Sequence, residues 1–256
     1  MRYALITGAT SGIGAEYAKK LAEKGYNLIV TGRREEVIKG IAEEINERWG
    51  VEVSVIIADF TIKRDVDRVM KEIRGLNIEF LVNNVGFGHK KKFLEDSYEN
   101  QKKMIDVHID AMCRITHYVA GRMKTGRRGH IVNVSSMAAF TPAAFNHLYS
   151  ASKIFINTFS EALYIDLMDK GVKVQALCPG FTRTDFHREM EVSEDTFKNR
   201  GLIRWMKAED VVEISYSEVV DRGGICIPGI CNKILYHIVR RVPKKFYYKV
   251  AKNMAM

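Results

Sequence analysis

Two kinds of segment alternate along the 256 residues. Ala4–Thr7, Asn27–Thr31, Val51–Ala58, Ile78–Val82, His130–Ser135, Val172–Leu177 and Gly224–Ile227 are short aliphatic runs and predict strands. Between them, Ile13–Lys24, Glu35–Trp49, Val66–Arg74, Tyr98–Lys124, Leu148–Lys170 and Ala208–Asp221 carry apolar residues every three or four positions and predict helices, with Thr61 the cap candidate for the third. Runs this rich in Val, Ile and Leu are too apolar for a sheet wetted on one face. They predict a seven-stranded parallel sheet covered by helices on both sides. Right-handed crossovers make it an α/β doubly wound fold. Pro142, Pro179 and Pro228 fall in loops or at strand ends, and no repeat or long linker interrupts the series, so one domain is expected.

The last segment differs in character. Within Ile230–Val250, Ile234, Leu235, Ile238 and Val239 are apolar at helical spacing, and Arg240, Arg241, Lys244, Lys245 and Lys249 follow. This predicts a C-terminal amphipathic helix with a basic tail through residue 256. Packing on the protein body is preferred; peripheral contact with an anionic membrane is the alternative.

Composition changes the picture little. Hydrophobic residues are 46% and charged residues 28% of the chain, which fits a globular domain rather than disorder. The net charge of +9 gathers at Lys90–Lys92, Arg127–Arg128 and Arg240–Lys249. Nucleic-acid binding ranks last among the readings, because no binding module or aromatic platform accompanies the cations. Cys113, Cys178, Cys226 and Cys231 form no zinc-ligand spacing, so no metal is expected and a reducing, cytoplasmic setting fits. The opening residues read as a buried strand rather than a secretory peptide.

Chemistry enters at the strand ends. Thr7-Gly8-Ala9-Thr10-Ser11-Gly12-Ile13-Gly14 directly follows the first strand and opens a helix. Glycines there let a pyrophosphate approach the backbone, and the helix N-terminus offers it N–H groups and a positive dipole end. The spacing is a variant of the G-x-G-x-x-G turn. After the second strand, Thr31-Gly32-Arg33-Arg34 has no acid before Glu35, where an NAD site commonly places one. NADP(H) is therefore preferred and NAD(H) remains possible, with Arg33 the better partner for a 2′-phosphate and Arg34 for stacking on adenine. Tyr149 and Lys153 share a helix face, so the ammonium can steady a phenolate, and Ser136 follows the fifth strand.

Together these motifs resemble the short-chain dehydrogenase/reductase family, over nearly the whole chain. In character the chain is closest to bacterial short-chain reductases and 3-oxoacyl-CoA reductase-like members. Besides the glycine-rich turn, the family's N-N-x-G segment matches Asn83-Asn84-Val85-Gly86, and its Y-x-x-x-K matches Tyr149 and Lys153. Its catalytic serine matches Ser136, and its P-G segment matches Pro179-Gly180, followed by Thr182 and Thr184. The resemblance implies a Rossmann fold, with Tyr149, Lys153 and Ser136 catalytic. Cofactor contacts are implied for Gly8, Thr10, Ser11, Gly12, Ile13, Gly14, Arg33, Arg34, Asp59, Asn83, Gly86, Pro179, Gly180, Thr182 and Thr184, as well as Tyr149 and Lys153. A homodimer or homotetramer through the helices at Tyr98–Lys124 and Leu148–Lys170 is implied too. One departure stands out: His108 occupies the place of an asparagine that the family uses to hold a helix kink and a relay water. His108 is retained as a catalytic candidate.

The function expected is NADP(H)-dependent hydride transfer between a nicotinamide and a carbonyl or secondary alcohol. Phe140, Phe145 and His147 are placed to border the pocket. Phe186, Met190, Phe197, Leu202, Ile203, Trp205 and Met206 sit in a substrate-side lid over about 181–207, or in core and dimer contacts. Both groups hint at an apolar or bulky substrate. Alternatives are a long-chain 3-oxoacyl thioester reductase of lipid metabolism and a low-turnover NADP(H)-binding sensor.

Overall fold

The structure is a computed structural model and describes residues 1–88, 92–144, 146–185, 199 and 201–253. Lys90, Lys91, Phe145, Phe186, Met190 and Phe197 lie outside the described residues. The strands β1 (Tyr3–Thr7), β2 (Asn27–Gly32), β3 (Val53–Ile57), β4 (Ile78–Asn83), β5 (Gly129–Val134), β6 (Val172–Leu177) and β9 (Gly224–Cys226) form one parallel sheet in the order β3-β2-β1-β4-β5-β6-β9. A two-stranded ribbon, β7 (Thr182–Arg183) with β8 (Met206–Lys207), stands apart from it.

Alternation along each strand divides the core. Ala4 and Ile6 of β1, with Phe80 and Val82 of β4, face α1 (Gly12–Glu23), α2 (Glu35–Trp49) and α7 (Ala208–Asp221). Leu5 and Leu81 face the other layer, built from α3 (Lys63–Glu72), α4 (Tyr98–Ile105), α5 (Met112–Gly126) and α6 (His147–Leu167). Each fully buried aliphatic side chain contributes roughly 1.5–3 kcal/mol, so the two-faced pattern fixes which strand face meets which layer. The strand order reverses between β1 and β4, and the loops after β1, β4, β5 and β6 meet at that point. Open α/β sheets bind their ligands at such a reversal.

Three expectations are corrected. The helix predicted over Tyr98–Lys124 is interrupted by a π-turn at Asp106–Ala111. Thr61 does not cap α3: its hydroxyl and N–H donate to Asp59 Oδ1, and the cap position falls on Ile62. The C-terminal helix is two helices, α8 (Ile230–Arg241) and α9 (Lys244–Asn253). Pro243 separates them, since its ring blocks a continuous α-helical ladder. Among the described residues, no helix is long and apolar enough to cross a membrane.

Candidate active site

The glycine-rich turn is tied down from three sides. Gly8 and Gly12 have φ of +69° and +56°, a region in which side chains are strained. A Cβ on Gly12 would lie 2.7 Å from the Thr184 methyl, and one on Gly14 would collide with the Gly8 carbonyl. Asn84 Nδ2 donates to the carbonyls of Thr7 and Gly8 at 3.1 and 2.8 Å, and Thr7 Oγ1 accepts the Asn84 N–H. The N-cap, Ser11, makes no side-chain cap bond, and the first turn of α1 carries no acid. Its N–H groups therefore suit an anion such as a pyrophosphate.

Arg34 lies across this turn. Its guanidinium donates to Thr10 Oγ1 and Ser11 Oγ at 3.0 Å each, and Asp185 stands 3.5 Å away. Arg33 points instead to Asp59, 3.9 Å away at the end of β3. The two side chains thus diverge, Arg34 across the glycine-rich turn and Arg33 towards Asp59. Together with Asp59 they edge the region where an adenosine would lie against the turn.

At the centre, Lys153 is buried and donates to the Val134 carbonyl at 2.9 Å. Its Nζ lies 5.4 Å from the centre of the Tyr149 ring. Burial depresses the Lys153 ammonium to about 8, because the charged form loses its water. Burial pushes the Tyr149 phenol upward, opposed by a hydrogen bond with the Ser136 side chain. Ser136 Oγ also accepts the Ala138 N–H at 3.1 Å, which fixes its rotamer at the end of β5. The site thus presents two adjoining hydroxyls with a buried cation behind them. That arrangement can receive a carbonyl oxygen and give it a proton.

His108 sits inside the π-turn, buried, with both ring nitrogens engaged. Nε2 accepts the Phe87 N–H at 3.1 Å, so the ring proton resides on Nδ1, 2.9 Å from Ser152 Oγ. Ser152 in turn donates to the Tyr149 carbonyl at 2.8 Å. Gly86 leaves room for the imidazole, since a Cβ there would lie 2.9 Å from Nε2. Asn83 turns the other way, donating to Thr116 Oγ1 and Asn133 Oδ1 at 2.8 Å each. It braces the floor of the site.

The Pro179–Thr184 segment closes the far side. The Pro179 carbonyl accepts the Met137 N–H, Thr182 Oγ1 donates to the Gly180 carbonyl, and a Cβ on Gly180 would collide with Asn232. Trp205 is buried against Phe181 at 5.0 Å, and Phe140 packs on Tyr236 rather than standing clear of the wall. Leu202 and Ile203 are exposed, as is His147. Asn84, Ser152 and Asp185 were missed by sequence reasoning. Asn84 adjoins Asn83, and neighbours along an extended chain point to opposite faces. The sequence names the pair but not which amide meets the turn.

The chain matches the short chain dehydrogenase family over residues 2–195. It is 38% identical over 198 residues to the very-long-chain 3-oxoacyl-CoA reductase of Anas platyrhynchos; the match covers 75% of this chain and 64% of the duck protein. It is 34% identical over 250 residues to 17-beta-hydroxysteroid dehydrogenase type 3 of Mus musculus, covering 96% of this chain and 78% of the mouse protein. The chain thus spans less than two thirds of the first relative and about three quarters of the second. A short-chain dehydrogenase from Sphingobium yanoikuyae, solved in complex with NADPH, superposes with a TM-score of 0.83 at 26% identity, over 95% of this chain and 96% of that one. The chain belongs to the short-chain dehydrogenase family.

Proposed function

We propose that the protein is an NADP(H)-dependent reductase of ketones or aldehydes, acting in reverse on secondary or primary alcohols, with Tyr149 as its acid and base. The observation that carries this reading is the Ser136–Tyr149 hydroxyl pair backed by the buried Lys153, opening beside the glycine-rich turn. A bound nicotinamide supplies or takes the hydride. In reduction, Tyr149 gives its phenolic proton to the oxygen as that atom gains charge, Ser136 donates a hydrogen bond to it, and Lys153 steadies the resulting phenolate. In oxidation the phenolate takes the hydroxyl proton back.

The turn, the Thr184 methyl against Gly12 and the α1 N-terminus fit a pyrophosphate. The convergence of Thr10 Oγ1, Ser11 Oγ and the Arg34 guanidinium supports a 2′-phosphate contact there. Arg34 is therefore the principal phosphate partner, with Arg33 beside it. The Sphingobium neighbour, which binds NADPH, supports the same preference. His108 acts through position: with both nitrogens committed to Phe87 and Ser152, it fastens the π-turn to the start of α6.

For the substrate, the aromatic and aliphatic wall at Phe181, Leu202, Ile203 and Trp205 supports an apolar or bulky carbonyl. A long-chain 3-oxoacyl thioester is the favoured class within it, in keeping with the duck relative. Exposed Ile154, Phe155, Ile165 and Met168 on α6 and its C-terminal end support assembly through that helix. The test is NADPH consumption, with NADH alongside, across small diketones, aromatic aldehydes, steroids and 3-oxoacyl thioesters. Turnover with NADPH that falls by about 10³-fold or more in Tyr149→Phe is expected. Tight NADPH binding without oxidation on any substrate would favour the sensor reading.

A further inference from the structure

We propose that the outer face of α8 and α9 docks the protein on an anionic lipid bilayer. The inner face of these helices is already occupied. Leu235 and Tyr236 pack on the cluster of Met137, Cys178 and Ile227, the buried Asn232 donates to the Pro228 carbonyl, and Tyr247 Oη donates to the Pro142 carbonyl at 2.6 Å. What remains outward is strongly apolar. Ile230, Ile234 and Ile238 recur every fourth residue along α8 and are 71%, 42% and 46% exposed. Along α9, Phe246 and Val250 are spaced alike and are 65% and 59% exposed.

The charge around these residues selects the partner. Between Ile230 and Asn253 there are seven Lys or Arg and no Asp or Glu, which is most of the chain's net +9. Among the described residues, Lys233 pairs with Glu218, whereas Arg241, Lys244, Lys245, Lys249 and Lys252 form no ion pair and are exposed. A second copy of the same tail would bring like charges together. A nucleic acid would meet the cations but leave the isoleucine row facing water. An anionic bilayer satisfies both sets, taking aliphatic and aromatic side chains into the acyl boundary and cations at the headgroups.

The mooring places this face near the chemistry. Tyr236 lies on Phe140 at 4.6 Å and Tyr247 on Pro142, both within the segment between Ser136 and Tyr149. A docked protein would hold its pocket mouth beside the bilayer, where an apolar carbonyl compound dissolves. This last point rests on the reductase reading, whereas docking itself does not.

Flotation of the purified full chain with vesicles of phosphatidylcholine alone, or mixed with phosphatidylglycerol, tests the proposal separately from turnover. The expected result is flotation with the anionic vesicles, weakened by salt. It should fall about tenfold or more in Lys244→Glu/Lys245→Glu, and also in Ile234→Glu/Ile238→Glu. Circular dichroism and oxidation of NADPH with a water-soluble ketone should stay unchanged in both variants. Absence of flotation would overturn the proposal, as would flotation indifferent to the isoleucine pair. It would equally be overturned if that pair dissociated an oligomer without affecting vesicles, or if the cations captured a DNA duplex while vesicles stayed unbound.

Discussion

At the scale of single residues, the site stores an unfavourable charge. The Lys153 ammonium is depressed from 10.5 to about 8 by burial, a difference of roughly 3 kcal/mol at about 1.4 kcal/mol per unit. Folding thus carries a penalty that is fully present below pH 8 and fades as pH rises from about 8 towards 10.5, where the unfolded lysine also loses its proton. Lys153→Met removes that penalty, and losing the bond to the Val134 carbonyl offsets about 1 kcal/mol of the gain. The cofactor-free variant should therefore be more stable at neutral pH by on the order of 1–2 kcal/mol, with the advantage gone near pH 10.5, while turnover collapses. Urea unfolding at several pH values checks this, and a variant less stable than the parent at pH 7 would contradict it. The three residues at this centre were legible from the sequence because a four-residue spacing places Tyr149 and Lys153 on one helix face whatever surrounds them. The separate contacts of Arg33 and Arg34 were not, because adjacent side chains at the start of α2 diverge, and only folding decides which one crosses the turn.

At the scale of elements, strands and most helices follow from periodicity, and the failures lie where a contact distant in sequence decides local geometry. Nothing in Met104–Ala111 breaks a helix by propensity. The π-turn is stabilised by what His108 reaches, the Phe87 N–H after β4 and Ser152 on α6, and such insertions recur at functional sites. The break at Pro243 is the opposite case, a local signal available in the sequence that the apolar spacing obscured. If His108 holds the π-turn, His108→Ala removes the acceptor of a backbone N–H and one anchor of α6. It should cost roughly 1–3 kcal/mol of stability and lower kcat. His108→Asn keeps an acceptor on a shorter side chain and should recover part of the stability. Equal denaturation midpoints for all three proteins would show that the turn stands without the imidazole.

At the scale of the whole molecule, the parallel sheet brings four separate loops to one edge, so cofactor affinity reports on the assembled site rather than on any one motif. The sequence reveals the seven strands and their order of chemistry. It does not reveal the clasp by which Asp185, beyond β7, meets Arg34, beyond β2, because 151 residues separate the pair. A ligand that binds only the folded state stabilises it by about 2.7 kcal/mol at a hundredfold excess over Kd. For a chain of this length that raises Tm by roughly 5–10 °C. Replacing a charged hydrogen-bond donor costs about 1.5–3 kcal/mol of affinity, so Arg34→Ala should lose most of the NADPH-induced rise and leave the rise with NADH nearly unchanged. Arg33→Ala, whose side chain faces Asp59, should lose less. Thermal scans of the parent and both variants with each cofactor separate the cases. A larger NADPH-specific loss in Arg33→Ala would return the phosphate role to the residue the sequence first suggested. Equal losses with NADH and NADPH in Arg34→Ala would mean that Arg34 shapes the glycine-rich turn through Thr10 and Ser11 instead of reading a phosphate.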